Sequence, residues 1–96
     1  MSTIKASHIL VEKYSKAEEL LKQLTSITPK ELPSTFAKLA MENSICSSKK
    51  KGGNLGEFGR GKMVPEFEKA AFALNKGQLS SIVKTKFGYH IILRTG

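Results

Sequence analysis

The chain has 96 residues, 40% of them hydrophobic and 25% charged, with a formal net charge of +8. That is enough for one domain with a small core, residues 1–96, and too little for a second folded unit. No apolar run approaches the ~18 residues of a membrane span, and a single cysteine, Cys46, excludes an intrachain disulfide and a Cys-rich zinc site.

The charge arises from fourteen Lys and two Arg against eight Glu, with no Asp. It favours polyanions, acidic peptides or anionic membrane surfaces as partners at long range. Arg60 and Arg94 are the only guanidinium groups, which weighs against sequence-specific nucleic-acid reading. The segment Met1–Lys5 has no apolar stretch of signal-peptide length, so a cytoplasmic location is the expectation.

Residues 4–11 read as a strand. Period two places Ile4, Ala6, His8 and Leu10 on one face. Residues 15–26 read as a helix with the stripe Ala17, Leu20, Leu21 and Leu24, and Ser15 with Glu18 has the form of a capping box. After the breaker from Thr28 to Pro33, Ser34 opens a second helix buried along Phe36, Leu39 and Ala40 and ending near Asn43.

From Ser44 to Gly61 the pattern changes, and five of the eight glycines fall between Gly52 and Gly61. Turns are implied, with a short strand around Leu55 to Phe58. Pro65 suits the first position of a third helix, with Glu66 and Glu68 at its positive end and Phe67, Ala70, Ala71 and Leu74 as its stripe. Gly77 is the expected left-handed stop. Strands over Leu79–Thr85 and Tyr89–Thr95 follow, joined at Lys86-Phe87-Gly88; on the last, His90, Ile92 and Arg94 share a face. The order of elements predicts an α+β fold with a mostly antiparallel sheet. Pairing of the first and last strands would bring His8 and His90 together.

The side chains with chemistry are His8, Cys46, Thr85 and His90. No hydrolase, zincin or phosphate-loop motif accompanies them. Two histidines and one cysteine do not close a tetrahedral site without carboxylates, so a structural metal is not expected; no cofactor is expected either.

Five ordered blocks resemble the parvulin family of peptidyl-prolyl cis/trans isomerases, most closely its small stand-alone bacterial members. They are Ala6-Ser7-His8-Ile9-Leu10-Val11, Ser44-Ile45-Cys46-Ser47-Ser48, Gly52-Gly53-Asn54-Leu55-Gly56-Glu57-Phe58, Gly61-Lys62-Met63-Val64-Pro65-Glu66-Phe67-Glu68 with Ala70-Ala71-Phe72, and Phe87-Gly88-Tyr89-His90-Ile91-Ile92. The resemblance implies an FKBP-like fold, a four-stranded sheet surrounded by about four helices. It implies a proline pocket of Leu55, Met63 and Phe67, with His8, Cys46, Thr85 and His90 as the catalytic polar set.

Family members that require a phosphorylated residue before proline carry a long basic loop after the first strand. Here that segment is only Glu12-Lys13-Tyr14-Ser15-Lys16, which argues against strict phosphate dependence. The expected partners are proline-containing peptides and partly folded proteins, met by a monomer. A weak preference for acidic residues before proline is expected from Lys49, Lys50 and Lys51. Two rival readings are a proline-segment-binding chaperone without turnover and a binder of nucleic acid or anionic membrane.

Overall fold

The computed structural model describes residues 2–96. The first strand, β1 (Thr3–Val11), is followed by α1 (Tyr14–Thr25) and α2 (Leu32–Asn43), then a 3₁₀ turn (Ser47–Lys51). β2 (Asn54–Gly59), α3 (Pro65–Ala73), β3 (Val83–Thr85) and β4 (Gly88–Arg94) complete the order. The strands form one antiparallel sheet in the order β2-β1-β4-β3, so β1 and β4 are central. The expected α+β sheet is present. Of the helical segments among the described residues, three are α-helices and the fourth is the 3₁₀ turn.

Alternation along β1 and β4 gives the sheet two different faces. Ile9, Val11, Ile91 and Leu93 point to one, where Leu20 and Leu24 of α1 and Phe36 and Leu39 of α2 close over them. Ile4, Ala6 and Ile92 point to the other, where Phe58 of β2 and Phe67 and Ala71 of α3 cover them.

Local boundaries depart from the sequence reading in three places. α1 begins at Tyr14, one residue before Ser15, and no side chain caps it. The Tyr14 ring meets Tyr89 edge-on at 5.5 Å, and this tertiary contact anchors the helix start instead. α2 begins at Leu32 with Pro33 in its first turn, so Ser34 lies inside the helix. The strand expected over Leu79–Thr85 shrinks to Val83–Thr85, with Leu79 making an isolated bridge to Leu93. There the buried Ser80 Oγ accepts the Ile92 N–H at 2.9 Å, so a side chain takes a bond that a ladder would make with backbone.

Candidate active site

The register fixes the centre of the site. His8 pairs with Ile92 and Leu10 with His90, so the two histidines are diagonal neighbours on one face of adjacent strands. Their rings stack at 5.2 Å with a 19° interplanar angle, and their Nδ1 atoms lie 3.0 Å apart. Phe67, from α3, stands edge-to-face on both: 5.4 Å and 86° to His8, 5.2 Å and 75° to His90. Thr85 Oγ1 lies 2.7 Å from His90 Nε2 and accepts the Phe87 N–H at 3.2 Å.

Burial keeps this pair uncharged. His8 is lowered to about 4 by desolvation, with the neighbouring His90 adding repulsion, and His90 is lowered to about 4 by desolvation. Two neutral rings sharing an Nδ1···Nδ1 bond need one donor and one acceptor. If the Thr85 hydroxyl donates to His90 Nε2, then His90 Nδ1–H donates to His8 Nδ1, and His8 keeps its proton on Nε2. The opposite direction leaves the Thr85 hydroxyl proton without an acceptor and His8 Nε2 as an unused lone pair. The first assignment strands a single group, the buried His8 Nε2–H, which has no partner in the protein. Such a group costs about 1–3 kcal/mol.

Cys46 reaches the site through Ser44, a fully buried residue that the sequence reading missed. Ser44 Oγ accepts the Leu10 N–H at 3.0 Å and the Cys46 N–H at 3.3 Å, and the Ile45 N–H donates to the Leu10 carbonyl at 2.8 Å. One hydroxyl thus ties the chain after α2 to β1, two residues beyond His8. The following glycines are required by close approach. Gly53 has φ +85°, its carbonyl accepts the His8 N–H at 2.9 Å, and a Cβ there would sit 2.3 Å from the His8 carbonyl oxygen.

These elements enclose a cavity of about 370 Å³. Leu55, Met63 and Phe67 form apolar wall, and His8, Cys46 and His90 line it as well. The structure therefore brings six of the seven sequence-derived site residues to one cavity, and Thr85 stands behind His90. Leu10, Lys62, Val64 and Phe87 line it too and were missed. Leu10 shares the strand parity of His8, and Lys62 and Val64 flank Met63, so adjacency was the available signal.

Lys49, Lys50 and Lys51 do not line the cavity. They form the exposed 3₁₀ turn, which Gly52 ends in the left-handed region while lying against Ala37 of α2. The lysines are thereby held on an outer surface. A larger groove of about 700 Å³ runs beside α1, between Tyr14, Glu18, Leu21 and Ile82, and contains none of the polar set. Among the described residues, no group of three His, Cys, Asp or Glu side chains is placed to hold a metal ion.

Residues 6–96 match the family described as Rotamase: PPIC-type PPIASE domain. The chain is 42% identical over 92 residues to the peptidyl-prolyl cis-trans isomerase ESS1 of Saccharomyces cerevisiae, covering 96% of itself and 54% of the yeast protein. It spans about half the length of that relative. Among solved structures, NmPin, the parvuline of Nitrosopumilus maritimus, matches with a TM-score of 0.83 and 49% identity, over 100% of this chain and 98% of that one. A chain from the structures of PEB4 and Cj1289, SurA-like chaperones of Campylobacter jejuni, matches with a TM-score of 0.94 and 43% identity, over 98% and 38%.

Proposed function

The chain belongs to the PPIC-type peptidyl-prolyl isomerase family, the parvulins, and on that premise we propose that it accelerates cis/trans rotation about X–Pro bonds in peptides and partly folded proteins. The observation that carries this reading is the meeting of an apolar pocket with an uncharged histidine pair in one cavity.

Rotation about a peptide bond faces a barrier of about 18–20 kcal/mol because amide conjugation must be broken. No covalent bond is made or lost, so neither a nucleophile nor a redox group is required. The twisted amide has a smaller dipole than the planar one. Moving it from water into an apolar cavity therefore favours the transition state over the ground state. Leu55, Met63 and Phe67 offer that environment, and Met63 adapts to the ring it holds. The neutral pair and Cys46 supply hydrogen bonds without placing a charge against the amide. In this reading Cys46 acts without covalent bond formation, and Thr85 orients His90.

The same reading includes a cytoplasmic monomer and a mild preference for an acidic residue before proline. A charge of +8 on 96 residues supports the monomer through self-repulsion. A protease-coupled assay on a short Ala–Pro peptide is the test. Acceleration over the uncatalysed rate that falls in Met63→Ala is the expected result. Saturable peptide binding without acceleration would replace the isomerase by a proline-segment-binding chaperone.

A further inference from the structure

Ten residues line the cavity, and Lys62 is the one Lys or Arg side chain among them. Eight are apolar side chains or histidines held neutral by burial, and the ninth is Cys46. Lys62 is exposed, and among the described residues no carboxylate lies within 4 Å of its ammonium. Glu68 of α3, which is bonded to this turn, is already engaged. It pairs with Arg60 at 3.6 Å and accepts the Gly61 N–H at 2.5 Å. That bond, with Gly61 at φ +89°, fixes the backbone from which Lys62 and Met63 project.

We propose that Lys62 selects substrates with an acidic residue immediately before proline. The proposal rests on the isomerase reading and adds the residue responsible for its specificity. A proline ring seated against Met63 has its preceding Cα between about 2.9 Å (cis) and about 3.8 Å (trans) from its own. Either distance is within reach of a four-carbon side chain on the adjacent residue. The preceding residue also contributes the carbonyl that rotates, so it stays beside the ring through the reaction. A carboxylate there meets an ammonium with no competing partner at an apolar rim, where attraction is less attenuated than in bulk water. Lys49, Lys50 and Lys51, more numerous but outside the cavity, act only as diffuse charge.

The test measures kcat/KM for Glu–Pro, Gln–Pro and Lys–Pro peptides in the wild type, Lys62→Gln, Lys62→Glu and the triple variant K49Q/K50Q/K51Q. The quantity read is the Glu–Pro to Lys–Pro ratio within each protein, which does not depend on the amount of folded enzyme. A single pair of this kind supports a ratio of about two- to fivefold. The wild type and the triple variant should show it, Lys62→Gln should bring it toward one, and Lys62→Glu should invert it. Raising salt from about 0.1 M to about 1 M should shrink it in the wild type. A ratio that survives Lys62→Gln, or that vanishes only in the triple variant, would overturn the assignment, as would equal wild-type rates. Normal turnover of Gln–Pro alongside such a failure would leave the isomerase reading standing. Absence of turnover on all three peptides would overturn both.

Discussion

The two faces of the central strands are built from alternate residues of the same segments, yet they are finished differently. On one face Ile9, Val11, Ile91 and Leu93 are sealed by two helices into continuous hydrocarbon. On the other, α3 seals only part of the surface, over Ile4, Ala6 and Ile92, and the remainder opens as a cavity floored by His8 and His90. Strand parity therefore separates stability from chemistry within single strands. The closed face is apolar through its core cluster, with the buried Ser7, paired with Leu93, as its polar member on β1. The open face keeps two imidazoles uncharged and one buried N–H unpaired.

The comparison breaks first, and most heavily, on the closed face. Phe36 is 1% exposed, and Phe36→Ala should remove about 3–5 kcal/mol. A domain of this size has on the order of 5–14 kcal/mol in total. Chemical denaturation should show a much lower midpoint with the active site untouched in sequence.

Acid acts on the open face. Unfolded histidines titrate near 6.5 and the folded pair near 4. Between those values the unfolded chain binds protons that the folded chain does not, so stability falls as pH drops from 6.5 toward 4 and this contribution levels off below. The pair should account for on the order of a few kcal/mol. Denaturation at pH 7 and pH 5 measures it, and a variant lacking both imidazoles should lose that part of the slope.

Thr85→Val tests the hydrogen-bond direction assigned to the pair. It preserves volume but leaves His90 Nε2 and the Phe87 N–H unpaired, at a cost of about 1–3 kcal/mol. Imidazole nitrogen chemical shifts should report a changed tautomer distribution. Unchanged shifts would contradict the assigned chain of donors.

Cys46→Ser should have the smallest effect. Cys46 is half-buried, and its ties to the fold are through the backbone, its N–H donating to Ser44 Oγ and its carbonyl accepting the Lys49 N–H, which the substitution keeps. Stability should stay within about 0.5 kcal/mol, and kcat/KM within about tenfold. Loss of all turnover with the fold intact would indicate covalent chemistry.

The readable parts of the molecule were those governed by local rules. Alternation placed His8 with Ile4 and Ala6 and His90 with Ile92, and the stripe through Phe67 and Ala71 oriented α3. Tertiary effects were not readable. Tyr14 starts α1 through its contact with Tyr89 rather than through a cap, and Ser80 interrupts a strand by taking a backbone bond. Ser44 has no pattern of its own, because its importance lies in joining two segments distant in sequence. The direction of the lysine run follows from Gly52 lying against α2, a contact that charge alone does not encode.

The central position of β1 and β4 bears on how the chain reaches this structure. The histidines that meet at the site are 82 residues apart in sequence, and the strands carrying them are the first and last of the sheet. During synthesis neither face has its floor until β4 has left the ribosome. Helices α1 and α2 emerge with their apolar sides facing only half of the surface they will cover. Closure of so long a loop comes before the contacts that reward it, which places this domain among the slower folders of its size. Until then Leu20, Leu24 and Phe36 stand open to other chains, the interval in which a holding chaperone has something to hold.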